Sequence, residues 1–293
     1  MKSLTNLPVI SRLSDTVIRI LGCNPGIMTL QGTNTYLVGT GTRRILIDAG
    51  EAKTAKEYTK VLRQVLEEEK ATIEHLMITH WHHDHLGGAK SVQNLLRTMN
   101  PTYHSTTWKL PRAPEDKGKK SQAEQNISWQ DLEDKQVVEV EGAKVRVEYT
   151  PGHSSDHASL VLEDENIICC GDCVLGEGTA IFEDLLTYMD SLKKIMAMKP
   201  KLMYPGHGPV IEDPETVIKY YIEHRLRREN EILGVIQETA KNKAISEMDI
   251  VKHMYMGTSK IMWEVAAYNV ERHLDKLLKE GKVKGEKGKW QSV

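Results

Sequence analysis

The 293-residue chain reads as an α/β protein followed by a small, mainly helical C-terminal module, and three observations carry that reading. Between Val17 and Tyr204, short β-branched runs alternate with stretches of helical periodicity. From Pro214 onward the strands give way to densely charged helical texture that closes on a glycine-punctuated tail. At about 150 residues per domain the length suits two parts, taken as 1–212 and 213–293. A chain this long buries a core without a disulfide or structural metal.

In chain order, Met1 to Ser14 carries Lys2 and Arg12 and no acid, which is compatible with a targeting segment or a frayed terminus. Val17–Leu21, Tyr36–Val38 and Arg44–Ile47 read as strands bounded by Gly or Thr. Residues 53–69 read as a helix, with Tyr58, Val61, Leu62, Val65 and Leu66 on one face. His75–Ile78 is a strand, and 87–99 is a helix that groups Val92, Leu95, Leu96 and Met99. Residues 100–135, with Pro101, Pro111, Pro114 and many charges, read as a long surface excursion. Val145, Val147 and Tyr149 alternate as a half-buried strand, and Ser159–Leu162 with Ile167–Cys170 make a hairpin. A helix over 183–197 precedes a strand at Lys201–Tyr204. In the tail, Ser246-Glu247-Met248-Asp249 is a capping box that opens a short helix. Val270, Leu274, Leu277 and Leu278 stripe a longer helix that Gly281 stops. Residues 282–290 look like a short hairpin, so the module is winged-helix-like.

Composition excludes several classes. With 39 basic against 41 acidic residues the net charge is −2, so the chain is not a globally basic nucleic-acid binder. No apolar run approaches the roughly 18 residues of a membrane span. Four cysteines, three of them at Cys169, Cys170 and Cys173, are no secreted disulfide framework, which points to a reducing compartment. The unusual count is twelve histidines against one phenylalanine, with His80, His82, His83 and His85 packed together.

That cluster, Thr79-His80-Trp81-His82-His83-Asp84-His85, follows a strand directly. Imidazole and carboxylate are good first-row metal ligands. On a loop, His80 and His82 can point one way while Asp84 and His85 point another, which suits two ions better than one. Three more candidates stand singly at strand ends beside small residues: His153 in Pro151-Gly152-His153, Asp172 after Gly171, and His207 in Pro205-Gly206-His207-Gly208.

The order His-x-His-x-Asp-His, then His, Asp and His, resembles the metallo-β-lactamase superfamily, in which glyoxalase II-like enzymes form the wider group. The resemblance implies a four-layer αββα sandwich with a di-metal site at one edge. Carried over by position, His80, His82 and His153 would bind the first metal. Asp84, His85 and His207 would bind the second, with Asp172 bridging, and Asp48 in Leu46-Ile47-Asp48-Ala49-Gly50 would order the metal loop. Zinc, two ions per chain, suits the imidazole-rich set, with manganese or iron open at the second position. A hydroxide held by two dications hydrolyses esters and phosphodiesters. Asp84, which would orient it, and the bridging Asp172 are the candidate catalytic residues.

Further stretches narrow the family. Leu21-Gly22-Cys23-Asn24-Pro25-Gly26, Leu30 to Gly39 and Gly171 to Thr179 resemble the lactamase-β-like protein 2 family, as does Phe182-Glu183-Asp184-Leu185 leading into Tyr188-Met189-Asp190-Ser191-Leu192. That resemblance implies an endoribonuclease acting on single-stranded RNA, located in the mitochondrial matrix, with the cytoplasm as the alternative. The residues themselves add a weaker argument. Residues 272–293 hold seven basic side chains against three acidic ones. Lys109, Arg112, Lys117, Lys119 and Lys120 follow Trp108. Basic groups beside an aromatic suit a single-strand groove, and a solvated helix face and tail is the plainer reading. The alternative activity is thioester hydrolysis, glyoxalase II-like or on acyl carriers. A non-catalytic RNA-binding role is disfavoured because every ligand position is filled.

Other signals carry less. Cys170-Gly171-Asp172-Cys173 is formally C-x-x-C, but Asp172 within it already has a role, and Gly176-Glu177-Gly178 lacks the third glycine of a dinucleotide loop. No G-x-S-x-G elbow or P-loop occurs. His83 is expected to face solvent or substrate. His157 is either a supporting or substrate-contacting residue or a plain loop histidine.

Overall fold

A computed structural model describes residues 4–113, 127–239, 244–255 and 263–293. Seven strands lie side by side in chain order: β1 (Ile10–Arg12), β2 (Val17–Leu21), β3 (Asn34–Val38), β4 (Arg43–Ile47), β5 (Thr72–Ile78), β6 (Thr106–Lys109) and β7 (Gln130–Asp131). β1 to β4 pair antiparallel. β4 to β7 pair in parallel and therefore need crossovers. Two of these crossovers carry helices α1 (Ala55–Glu68) and, after the single turn α2 (His83–Leu86), α3 (Ala89–Met99). The second sheet runs β12-β11-β10-β9-β8, from β8 (Val137–Val140), β9 (Ala143–Tyr149), β10 (Ala158–Leu162), β11 (Ile167–Gly171) and β12 (Leu202–Pro205), with α4 (Leu185–Ala197) between β11 and β12.

Side-chain alternation along the strands sorts the core into layers. Ile18, Ile20, Leu46 and Leu76 pack against Tyr58 and Leu62 of α1 and Val92 and Leu96 of α3. Tyr36, Ile45, Ile47 and Met77 meet Val145, Val147, Leu160 and Cys169 between the sheets. Val161, Ile168 and Cys170 pack on Leu185, Tyr188 and Leu192 of α4. The result is an αββα sandwich. Because both faces of each sheet are covered, β2, β3 and β10 are buried from end to end.

The C-terminal module comprises α5 (Pro214–Thr239), α6 (Glu247–Met254), α7 (Trp263–Lys279) and the hairpin β13 (Val283–Glu286)–β14 (Lys289–Ser292). Ile218 and Tyr221 of α5 belong to the sandwich core, whereas Ile232, Val235 and Ile236 pack with Ile250, Leu274, Leu277 and Trp290. The packing boundary therefore lies inside α5. Ser246 caps α6 by accepting from the Asp249 amide at 3.2 Å. The neighbouring Glu247 accepts from the Trp290 indole at 2.6 Å and from the Gly288 amide at 2.9 Å, which pins the wing to the helix.

Several local expectations change. Residues 10–12 are not frayed: they form edge strand β1 on β2. The stretch 100–135 contains β6 and β7, hidden from a hydropathy reading because Thr-Thr-Trp-Lys is short and polar and its lysine is buried. β8 also escaped notice as a four-residue edge strand with half its positions exposed. On α7 the stripe runs through Val270, His273, Leu274 and Leu277, while Leu278 is exposed.

Candidate metal centre

The carboxyl ends of β4, β5, β9, β11 and β12 meet at one edge of the sandwich. The sheets are tied there by the Ala158 amide donating to the Thr79 carbonyl at 2.8 Å and the Asn34 amide donating to Gly206 at 2.7 Å. Asp48 follows β4 in the left-handed backbone region, φ 60°, which aspartate tolerates better than most residues. Gly206 is needed for space: a Cβ there would stand 2.3 Å from Asp172 Oδ1 and 2.8 Å from His85 Cε1.

Seven sequence-expected ligands come together here in two groups: His80, His82, His153 and Asp172, and Asp84, His85 and His207. In the first group His80 Nε2 lies 2.9 Å from His82 Nδ1, and His153 Nε2 lies 3.2 and 3.0 Å from those two atoms. In the second, His85 Nε2 and His207 Nε2 are 3.2 Å apart, and Asp84 Oδ2 is 3.4 and 3.1 Å from them. Asp172 stands between the groups, with Oδ1 3.4 Å from His85 Nε2 and Oδ2 3.4 Å from His207 Nε2 and 3.7 Å from His153 Nε2.

The other ring nitrogens fix the tautomers. His85 Nδ1 faces Asp48 Oδ2 at 2.7 Å, His153 Nδ1 faces the Ile181 carbonyl at 2.7 Å, and His207 Nδ1 faces the Gly32 carbonyl at 3.3 Å. Each acceptor takes a hydrogen bond from Nδ1 and turns Nε2 inward, the nitrogen each ring would offer a metal. The Thr79 hydroxyl donates to Asp48 at 2.9 Å and lies 3.0 Å from His80 Nδ1, so it orients that ring likewise.

Charges divide along the same line. Burial, with His85, His82 and His153 nearby, holds His80 well below the ordinary histidine range, and burial together with His153 pushes His82 down to about 3. Burial also lowers His153. In the second group burial works downward too, but Asp172 and Asp84 outweigh it and hold His85 well above the ordinary range, while His207 rises to about 9. Burial would raise both carboxylates; His207 and His85 instead hold Asp172 and Asp84 below the usual range.

The donor set fits a divalent metal. A tetrahedral zinc with bonds of about 2.0–2.1 Å sets neighbouring imidazole nitrogens about 3.3 Å apart. The first triangle already has edges of 2.9, 3.0 and 3.2 Å, with neutral imidazoles at its corners.

Further residues support the ligands without sequence signals of their own. His157, left open above, is buried; its Nε2 accepts from the Asp172 amide at 3.1 Å, and its Nδ1 lies 3.0 Å from the Thr150 hydroxyl. Arg225 of α5, buried, donates to the Ala180 carbonyl at 2.6 Å and lies over the Phe182 ring. It thus clamps the segment whose Ile181 carbonyl holds His153. Lys109 forms a buried ion pair with Asp156, whose Oδ1 accepts from the Ser154 hydroxyl at 2.7 Å. His83 is exposed at the cleft.

The basic residues behave differently from a count of charges. Arg272, Lys276, Lys279, Lys282 and Lys287 pair with carboxylates at 2.6–2.9 Å, so most of the tail's excess is consumed internally. Lys109 is buried and Trp108 donates to His75 at 3.1 Å. Lys117, Lys119 and Lys120 lie outside the described residues. The aromatic–basic pairs at the site are Trp81 with Arg112, 4.2 Å from guanidinium carbon to ring centre, and Tyr268 with Arg272, at 5.1 Å. All four line a cavity of ≈ 540 Å³ beside a second, ≈ 590 Å³, over the ligand groups. No described helix is long and apolar enough to cross a membrane.

Comparison with known proteins agrees with this architecture. Residues 28–207 match the family model described as metallo-beta-lactamase superfamily, and 246–290 match the beta-lactamase associated winged helix domain. A beta-lactamase-like protein 2 homolog of Drosophila melanogaster is 47% identical over 95% of this chain and 93% of its own length. An atrochrysone carboxyl ACP thioesterase of Aspergillus fumigatus is 40% identical over 83% of this chain and 71% of its own. Among solved structures, a beta-lactamase domain protein from Burkholderia ambifaria superposes with a TM-score of 0.80 at 18% identity, covering 98% of this chain and 96% of that one. The chain belongs to the metallo-beta-lactamase superfamily, a family of metal-dependent hydrolases, and resembles within it the beta-lactamase-like protein 2 homologs.

Proposed function

We propose that the protein is an endoribonuclease that hydrolyses phosphodiester bonds in single-stranded RNA, using two zinc ions per chain and acting in the mitochondrial matrix. The observation that carries this reading is the cleft above the ligand groups. It is walled by Trp81 from the metal loop, with the Arg112 guanidinium over its ring, and by the partly exposed Tyr268 from α7. Aromatic faces beside cations hold unpaired bases and track a phosphate backbone.

The chemistry two bound zinc ions supply is a nucleophilic water of lowered pKa and neutralisation of charge on the leaving oxygen. His80, His82 and His153 would hold one ion, and Asp84, His85 and His207 the other, with Asp172 shared. Asp84, at the cleft surface of the second group, is the acceptor available to orient the attacking water. His157 keeps Asp172 in place, and Asp48 keeps His80 and His85 in place.

Likeness to the fungal ACP thioesterase supports a second reading, hydrolysis of an acyl-carrier or glyoxalase II-like thioester. The deciding assay gives the zinc-loaded protein a single-stranded RNA, S-lactoylglutathione and an acyl-carrier thioester in parallel, with His80→Ala and Asp84→Asn as controls. RNA cleavage that both substitutions abolish supports the nuclease. Intact RNA with thioester turnover overturns it.

A further inference from the structure

The two cavities over the ligand groups differ in character. The ≈ 590 Å³ cavity, which contains His82, Asp84, His153 and Asp172, is closed on one side by Met28, Phe182, Val265 and Tyr268. Met28 is 61% exposed, Val265 37% and Tyr268 39%, so three apolar or aromatic side chains from two distant parts of the chain are held in water beside the ligand groups. Val265 and Tyr268 sit three positions apart on α7, where helical side chains become neighbours. Past Trp81, Glu183 and Tyr268, which both cavities share, the ≈ 540 Å³ chamber is lined by Arg112, Ser154, Ser155, Thr187 and Arg272. Arg272 is held by Glu271 at 2.9 Å and by Asp275 at 3.2 Å. The acids lining that chamber are engaged: Glu183 accepts from the Ser155 amide at 3.1 Å, and Asp184 pairs with Lys279 at 2.6 Å.

We infer that the apolar side of the metal cavity is a base-binding subsite, built by Met28, Val265 and Tyr268 over the buried Phe182, for the nucleotide bonded to the scissile phosphate. This rests on the RNA reading above and adds a base contact to it. An aqueous apolar pocket suits the flat face of a base. A base in this pocket must leave its neighbours' stack, which a single strand permits at far lower energy than a duplex.

The test uses the zinc-loaded 293-residue chain and a defined single-stranded oligoribonucleotide whose cleavage position has been mapped. The base on each side of that bond is replaced in turn by an abasic ribose, and kcat/KM is measured for the native protein, Val265→Ala and Tyr268→Ala. Both substituted side chains are partly exposed, and circular dichroism checks the fold. An abasic residue on one side is expected to lower native kcat/KM about ten-fold. Each variant is expected to lose a similar factor on the intact oligonucleotide, and less than about two-fold more on the abasic one, because the contact is already gone. Equal cleavage of abasic and intact strands, or losses that multiply, overturns the subsite and leaves the nuclease reading intact. If no RNA is cut and long-chain acyl thioesters are hydrolysed with a KM that Val265→Ala raises, the pocket holds an acyl chain and both readings fall.

Discussion

Asp48 Oδ2 lies 2.7 Å from His85 Nδ1, and the same carboxylate takes the Thr79 hydroxyl that stands 3.0 Å from His80 Nδ1. One buried carboxylate therefore orients an imidazole in each metal-ligand group. It also accepts from the Thr79 amide at 2.8 Å, which fixes where the metal loop begins. Replacing Asp48 by Asn keeps the shape and removes the charge. Zinc affinity is expected to fall about 10–100-fold at both sites, read by competition with a coloured chelator. A loss confined to one site would contradict the shared role.

Arg225 acts on one group only. Its hydrogen bond to Ala180 and its stacking on Phe182 hold the carbonyl of Ile181 under His153. Arg225→Met is expected to weaken metal binding about ten-fold at the three-histidine site, the lower end for an outer-shell loss. Cobalt substitution distinguishes the sites by their absorption bands. Equal weakening of both would point to general destabilisation.

The Lys109–Asp156 pair is 0% exposed on both partners, a desolvated pair in which neither charge has water to fall back on. Asp156→Ala strands the ammonium and is expected to cost about 3–5 kcal/mol in denaturant unfolding. Lys109→Met with Asp156→Leu is expected to recover most of that loss. A single substitution below 1 kcal/mol would show that the pair is not desolvated.

His273 gives the fold an acid sensitivity. Burial first, then Arg225 and Lys276, push it down to about 3, against about 6.5 in the unfolded chain. Below pH 6.5 the unfolded state takes up a proton that the native state refuses, so stability falls as pH drops and levels off near pH 3. Relative to neutral pH the contribution at pH 5 is a loss of about 2 kcal/mol. His273→Gln is expected to flatten the pH dependence of unfolding between pH 6.5 and 4 by one proton; an unchanged slope would contradict it.

Legibility in the sequence followed locality. His80, His82, Asp84 and His85 announce themselves because their spacing lies within one loop. His153, Asp172 and His207 become readable only as single residues after strands, with Gly beside them for close approach. His157 and Thr79 act through hydrogen bonds that no spacing encodes, and Arg225 reaches the site from a helix 45 residues beyond its Ala180 partner. Charge counting misjudged the tail, because Glu229 lies far upstream of the Lys276 and Lys282 that it neutralises. Strand β6 was invisible for a related reason: its buried lysine is a core residue only in the presence of Asp156.

The most direct test measures zinc content and cleavage of one defined single-stranded RNA on the same preparation, for the native protein and for His82→Ala and Asp172→Asn. About two zinc ions per native chain, fewer in each variant, and RNA cleavage that tracks the occupied pair are the expected result. One ion or none in a fully active native protein, or intact RNA at full zinc occupancy, would contradict the account.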